Sequence, residues 1–174
     1  MKKLITFFAL AAFLVAFIAV GLALAKKGTP PLTCATEYDF VGDLGIFDSE
    51  GRLFCWIGPI TGDIEGVIKW WLVLPKPPPT GQVGHALFRW EIWDADKEVL
   101  LLAGDEEERT IVRHGKNSVW RANGIVTEAS AEFKDYIGSQ MHDGGNFTWT
   151  DDDPPAPKEG SGTLRIAGSA AGSK

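Results

Sequence analysis

The sequence has little positive charge. It contains 17 Lys and Arg residues against 23 Asp and Glu residues, which leaves a formal net charge of −6. Proteins that bind nucleic acid need clustered Lys and Arg side chains to neutralise the phosphates. We therefore expect no nucleic acid among the partners of this chain.

The chain also lacks the short motifs that identify common enzyme chemistries. It has no Gly-x-Ser-x-Gly nucleophile motif, no phosphate-binding loop and no dinucleotide fingerprint. Its histidines stand singly in the sequence, without the close spacing of a ligand pair. These are His85, His114 and His142. The sequence therefore predicts neither a metal site nor a cofactor, and an enzyme is not the leading hypothesis.

The chain contains one long apolar run, at its N-terminus. A basic start, Met1-Lys2-Lys3, precedes residues 4–25, which carry no charge and end in Ala23-Leu24-Ala25. This layout is typical of a cleaved secretory signal. The run is also long enough to cross a bilayer, which takes about 20 residues, so an uncleaved membrane anchor is the alternative. Both predict a secreted or extracytoplasmic protein that contacts a membrane only through residues 4–25, if at all.

The rest of the chain has the size of a single domain. Residues 26–33 read as a Pro/Gly linker, residues 34–167 as the domain, and residues 168–174 as a small, polar, disordered tail. A sequon at Asn146, Asn-Phe-Thr, predicts N-glycosylation if the host modifies such sites.

Cysteine is scarce, with only Cys34 and Cys55 in the chain. A pair of cysteines in an exported protein predicts one disulfide. We expect that bond to tie the start of the domain to the next strand. The alternative is a pair of buried free thiols.

Short apolar runs separated by Gly, Pro and Asn predict an all-β domain of about eight antiparallel strands. In one strand, over residues 85–93, Phe88, Trp90 and Ile92 alternate with Arg89, Glu91 and Trp93. A hairpin is predicted at residues 115–117, an acidic turn at residues 105–108, and a further hairpin at residues 144–145.

Glycine is abundant, at 20 of 174 residues, and strongly bent barrel strands need glycine at their corners. We therefore predict a single antiparallel β-barrel. A two-sheet β-sandwich is the alternative.

The glycine pattern of the C-terminal half resembles that of small barrels of the allene-oxide-cyclase-like type. The resemblance covers about residues 105–167. It rests on GIVTEA (124–129), Phe133, YIG (136–138), GG (144–145) and GSGTLRI (160–166). Plant members of that group cyclise a fatty-acid epoxide in an apolar barrel cavity. The resemblance implies a barrel that could enclose such a cavity, but no catalytic position of the group can be matched to a residue of this chain.

Seven tryptophans are many for a chain of this length. Buried aromatic side chains either fill a core or line a ligand cavity. Our leading hypothesis is an exported, non-enzymatic barrel that binds a small hydrophobic ligand. The residues predicted to line the site are Trp70, Phe88, Trp90, Trp93 and Trp120.

Two alternatives belong to other functional classes. A cyclase- or isomerase-type enzyme would use His85, Arg89 and Glu91 as polar groups inside the same cavity, and therefore needs them to face the interior. A carbohydrate-binding module would instead need two or more exposed, coplanar tryptophan rings on one face of a sheet.

Overall fold

The chain folds into eight β-strands and two short 3-10 turns within residues 28–72, 83–151 and 157–168, which the structure describes. The structure is a computed structural model, and over residues 83–86 and 107–111 it describes the backbone alone. The predicted signal or anchor and most of the predicted tail lie outside these ranges. The strands are β1 (Leu32–Phe40), β2 (Leu53–Gly62), β3 (Gly66–Leu72), β4 (Val83–Trp93), β5 (Leu100–His114), β6 (Asn117–Ala129), β7 (Gln140–Trp149) and β8 (Pro157–Ile166). The 3-10 turns are Gly42–Leu44 and Lys134–Tyr136. None of the helical segments in these ranges reaches the length and apolarity of a membrane-crossing helix.

The sheet closes on itself. Each strand pairs antiparallel with the next, and β8 returns to pair with β1 from Leu32↔Ile166 to Asp39↔Glu159. Closure leaves no sheet edge exposed, which removes the usual route to edge-to-edge aggregation. The predicted eight-stranded antiparallel barrel is confirmed, and the sandwich alternative is excluded.

Buried and exposed residues alternate along the strands, as expected when one face of each strand lines the barrel interior. The alternation is nearly strict in β1 and β6. Adjacent tryptophans therefore point to opposite faces: Trp70 is buried inside the barrel, whereas Trp71 is only half-buried, on the outside.

The interior has two chemically distinct ends. One end, where β1 begins and β8 finishes, is aliphatic, and the 3-10 turn residue Tyr136 packs there, with its hydroxyl donating to Pro30 O at 2.9 Å. The other end is aromatic. The aliphatic end contains Leu32, Ile60, Ile68, Ile92, Leu102, Met141 and Ile166, and the aromatic end contains Trp56, Phe88, Trp120, Phe147 and Trp149.

Local turn predictions had mixed outcomes. The hairpin at residues 115–117 is confirmed as the β5–β6 connection. The acidic turn at residues 105–108 is wrong, because β5 continues through it and pairs with β6 at Asp105↔Ile125 and Glu106↔Gly124. The hairpin at residues 144–145 is also wrong. Both glycines lie inside β7 and pair with β6 and β8.

The predicted disulfide between Cys34 and Cys55 is wrong, because both thiols are free and buried. Cys34 pairs with Gly62, whereas Cys55 lies near the opposite end of β2. The seven residue steps from Cys55 to Gly62 span roughly 23 Å at the rise of a strand, and a disulfide needs Cα atoms within about 7 Å. A register shift between Phe54 and Trp56 accommodates Cys55, whose Sγ lies 3.3 Å from Trp70 O.

We predict that alkylation of the unfolded, unreduced protein adds two labels, because neither thiol is bonded to the other. Mass spectrometry of the labelled chain measures this directly. The variant Cys34→Ser should take one label. Recovery of the unlabelled wild-type chain would contradict the free-thiol assignment.

Because Cys34 is buried, we predict that the protein loses stability at alkaline pH. Burial raises the pKa of this thiol above its ordinary value of 9.0, and backbone hydrogen bonds from Ile64 and Asp63 only partly oppose the shift. Above that value the unfolded chain loses the thiol proton while the folded chain keeps it. The free energy of unfolding therefore falls as the pH rises, by up to about 1.4 kcal/mol per pH unit for one group.

Urea unfolding at pH values below and above 9.0 measures this loss of stability. The decline should be shallower in Cys34→Ala, which retains only other contributions, such as the raised pKa of buried Tyr136. An equally steep decline in the variant would contradict the assignment to Cys34.

Candidate functional site

The structure brings four of the five predicted ligand-lining residues together inside the barrel. Trp70, Phe88, Trp90 and Trp120 all face inward, and each is at most 5% exposed. Trp93 lies on the outer face of β4 and is half-buried. The fifth residue is therefore separated from the other four by the wall of the sheet.

Tyr38 lies at the centre of the inward aromatic side chains. Its ring centroid is 5.1 Å from that of Trp56, 5.1 Å from that of Trp70 and 6.2 Å from that of Trp120. The first two contacts are edge-to-face, the geometry that aromatic quadrupoles prefer. These rings form one continuous apolar surface inside the barrel.

Inward-facing glycines make room for these rings. A Cβ atom on Gly104 would lie 2.6 Å from the Trp90 ring, and one on Gly162 would lie 3.1 Å from Trp120. Large rings can lie flat against the wall only where the wall carries no side chain. The high glycine content thus belongs to the interior packing as well as to the bending of the strands.

Buried polar groups lie between the aliphatic and the aromatic ends, and we call this level the middle layer. Because barrel strands are tilted, the register between strands sets the height of each residue. Trp70 pairs with Trp90 across β3 and β4, and Thr36 pairs with Gly162 across β1 and β8. The middle layer consists of Thr36, Trp70, Trp90, Glu106 and Asp143, all buried.

The polar atoms of the middle layer differ in how they are satisfied. Glu106 and Asp143 are both engaged in interactions with other groups, even though the Asp143 Oδ1 atom has no hydrogen-bond partner among the described residues. Thr36 Oγ1, Trp70 Nε1 and Trp90 Nε1 also have no hydrogen-bond partner within the described ranges. An unpaired buried polar group costs about 1–3 kcal/mol. The middle layer therefore holds unused hydrogen-bonding capacity.

The residues of the enzyme alternative occupy the outer face of β4. Arg89 Nε lies 3.2 Å from Glu91 Oε1, and Arg89 Nη2 lies 2.8 Å from Glu128 Oε1. Burial by itself would lower the pKa of Arg89, but the hydrogen bonds to the two carboxylates outweigh it and raise that pKa. Arg89 and Glu91 are thus on the opposite side of the sheet from the middle layer, and the side chain of His85 lies outside the described residues.

The outer face does not carry the flat aromatic row that a carbohydrate-binding module needs. All seven tryptophans lie in the described ranges, and none is exposed. On the outside, Trp93 donates to Glu91 Oε2 at 3.1 Å, and Lys69 Nζ lies 4.5 Å from the centre of its ring. Trp71 packs against Phe54 at 5.0 Å.

A groove of about 350 Å³ crosses the outer faces of β2, β1, β8 and β7. Asn146 and Thr148 of the predicted glycosylation sequon both line it. A glycan on Asn146 would therefore emerge within this groove. The other polar residues of its wall are Glu37, Asp39, Glu159 and Ser161.

Sequence reasoning missed the polar members of the middle layer. Glu106 was assigned to an acidic turn and Asp143 to a hairpin, and Thr36 was not singled out. The alternation of side chains could have placed all three: Glu106 shares a face with Leu102, and Asp143 shares one with Met141. The acidic run at residues 105–108 and the glycine pair at residues 144–145 both suggest turns, and these signals conceal the alternation.

The described residues contain no group of three or more His, Cys, Asp or Glu side chains arranged to hold a metal ion. Comparisons of the chain with known protein families, curated proteins and solved structures give no match. The resemblance to allene-oxide-cyclase-like barrels stays a prediction, and any function must be argued from the barrel itself.

Proposed function

We propose that this protein is an exported, non-enzymatic barrel that binds one small hydrophobic ligand in its interior. An eight-stranded barrel is just wide enough for its own side chains or for a single small ligand. The aromatic rings around Tyr38 contact one another, and a ligand admitted between them would exchange these contacts for apolar contacts of its own.

The observation that carries this proposal is the unpaired polar atoms of the middle layer. Thr36, Trp70 and Trp90 are each at most 3% exposed, so bulk water does not satisfy them. Folded proteins pair the great majority of such buried groups. A ligand that accepts hydrogen bonds from them would recover the free energy that burying them without partners costs.

The positions of Arg89 and Glu91 favour binding over catalysis. The cyclase or isomerase alternative needs both side chains beside an interior ligand, whereas they pair with each other on the outer face. Export is supported by the signal-like sequence of residues 1–25.

Titration with a lipid-like ligand tests the proposal, because several tryptophans surround the interior. We predict a saturable change in tryptophan fluorescence in the wild-type protein. Ala122→Leu, which adds bulk at a buried inward position of β6, should abolish it while the barrel stays folded. The matched control is Val119→Leu on the outer face of the same strand, where the side chain is 47% exposed and binding should be unchanged. An unsaturable response, or full binding by folded Ala122→Leu, would refute the interior site.

A further inference from the structure

The inward tryptophans differ in whether their indole N–H has a hydrogen-bond acceptor. Trp120 Nε1 donates to the Tyr38 hydroxyl at 2.6 Å, and Trp149 Nε1 donates to Ser118 Oγ at 2.8 Å. The indoles of Trp70 and Trp90 have no such acceptor among the described residues. The aromatic end thus satisfies indole donors internally, and the middle layer does not.

Two of the unpaired donors are neighbours in the fold, and the third lies at the same level of the barrel. Trp70 and Trp90 are directly opposite each other on adjacent strands. The Tyr38 ring packs against Trp70, and its hydroxyl is only 3.2 Å from Asn146 O, so this group is already engaged. Thr36 Oγ1 lies beside Trp120, since both would come within 3.2 Å of a Cβ atom on Gly162.

The chemistry of these groups is one-sided. An indole N–H can donate a hydrogen bond but cannot accept one, and a threonine hydroxyl can also donate. What these three groups lack is therefore an acceptor within reach, even though the same layer contains a carboxylate, Asp143. A pure hydrocarbon would fill the aromatic surface and leave all three donors unpaired.

We infer that the ligand of the interior site is an apolar molecule that carries a carbonyl oxygen, positioned to accept from the indoles of Trp70 and Trp90. A carbonyl oxygen has two lone pairs and no proton, so it can take bonds from more than one of these donors. The inference rests on the proposed function, because it assumes that the interior admits a ligand. The apolar body of the molecule would contact the rings around Tyr38.

Two probes of the same shape test the carbonyl inference separately from the proposal that the interior binds a ligand. Acetophenone and α-methylstyrene differ only in the exchange of a carbonyl oxygen for a methylene group. The titrations use the protein that a secreting host releases. We expect it to bind acetophenone about tenfold more tightly than α-methylstyrene, which is the difference that one or two net hydrogen bonds would give. Tryptophan fluorescence titration measures both affinities.

Two variants test which indole causes the preference for acetophenone. Trp90→Phe removes one unpaired donor and should reduce the preference for the ketone several-fold. Trp93→Phe, which removes an indole from the outer face, should leave the preference unchanged. If Trp90→Phe fails to fold, a nitrogen–proton correlation spectrum of the wild type provides the readout. In it, the indole N–H resonances of Trp70 and Trp90 should move downfield with acetophenone and not with α-methylstyrene.

The outcomes distinguish the inference from the proposed function. Equal affinity for both probes, or unmoved Trp70 and Trp90 resonances on saturation with acetophenone, overturns the carbonyl inference and leaves the binding site standing. Such a result would assign the three donors to buried water. Failure of both probes to bind overturns both proposals.

Discussion

Replacing Gly145 with Ala is expected to lower the free energy of unfolding by about 3 kcal/mol, the upper range for overpacking a core. Gly145 lies in β7 and faces the barrel interior, and it pairs with Trp120 on one side and Gly162 on the other. A Cβ atom here would lie 2.7 Å from the Gly162 Cα and closer still to the Ser161 carbonyl oxygen. Neither obstacle is a flexible side chain, so the two strands must separate.

The neighbouring residue supplies the control. A Cβ atom on Gly144 would have its nearest contact 3.3 Å away, at the Trp120 carbonyl oxygen. Gly144→Ala should therefore change stability by less than about 1 kcal/mol. Urea unfolding of both variants tests the difference. Similar stabilities would mean that β7 and β8 are not packed against each other as described.

Replacing Trp90 with Ala is expected to cost about 3–5 kcal/mol, the usual range for deleting a large buried aromatic side chain. Trp90 is fully buried, and its ring covers the space that Gly104 leaves open. Because Gly104 cannot fill the void, little relaxation is available to reduce the loss. Thermal unfolding should show a large decrease in Tm.

Trp93 is the matched control, three residues further along β4 and on the outer face. Trp93→Ala removes a hydrogen bond to Glu91 and a cation–π contact with Lys69. Both are partly solvated, and their loss should cost about 1–2 kcal/mol together. Equal destabilisation by the two variants would contradict the assignment of inner and outer faces.

Much of the barrel could be predicted from the alternation of side chains. The strand around Phe88 and Trp90 shows a clear period of two, which separates its two faces, although Trp93, predicted to line the site, lies on the outer one. The adjacent pair Trp70 and Trp71 was bound to divide between the two faces. Closure of the sheet followed from the abundance of glycine, which strongly bent strands require.

Glycine also caused the main errors. Gly115 adopts a φ of 60°, which suits glycine, and it forms a true hairpin turn. Gly145 has the same composition signal but sits within a strand, where it is needed for close approach of β8. A single sequence does not separate these two uses of glycine, because the approaching strand is distant in the chain.

The sequence could not show that Cys34 and Cys55 are too far apart to form a disulfide, for a related reason. The cysteine count indicated a bond, but only the register shows that Cys34 and Cys55 lie toward opposite ends of the β1–β2 ladder. The middle layer likewise depends on register. Thr36 and Trp90 come from strands that are not neighbours, and whether their polar atoms find partners is a property of the assembled barrel.

The claim that the interior receives the ligand is tested most directly by intermolecular nuclear Overhauser effects from bound acetophenone. We predict contacts from its protons to the indole protons of Trp70 and Trp90 and to the methyl group of Thr36. Contacts confined to Asn146 and Thr148 would place the ligand in the outer groove instead and contradict the account.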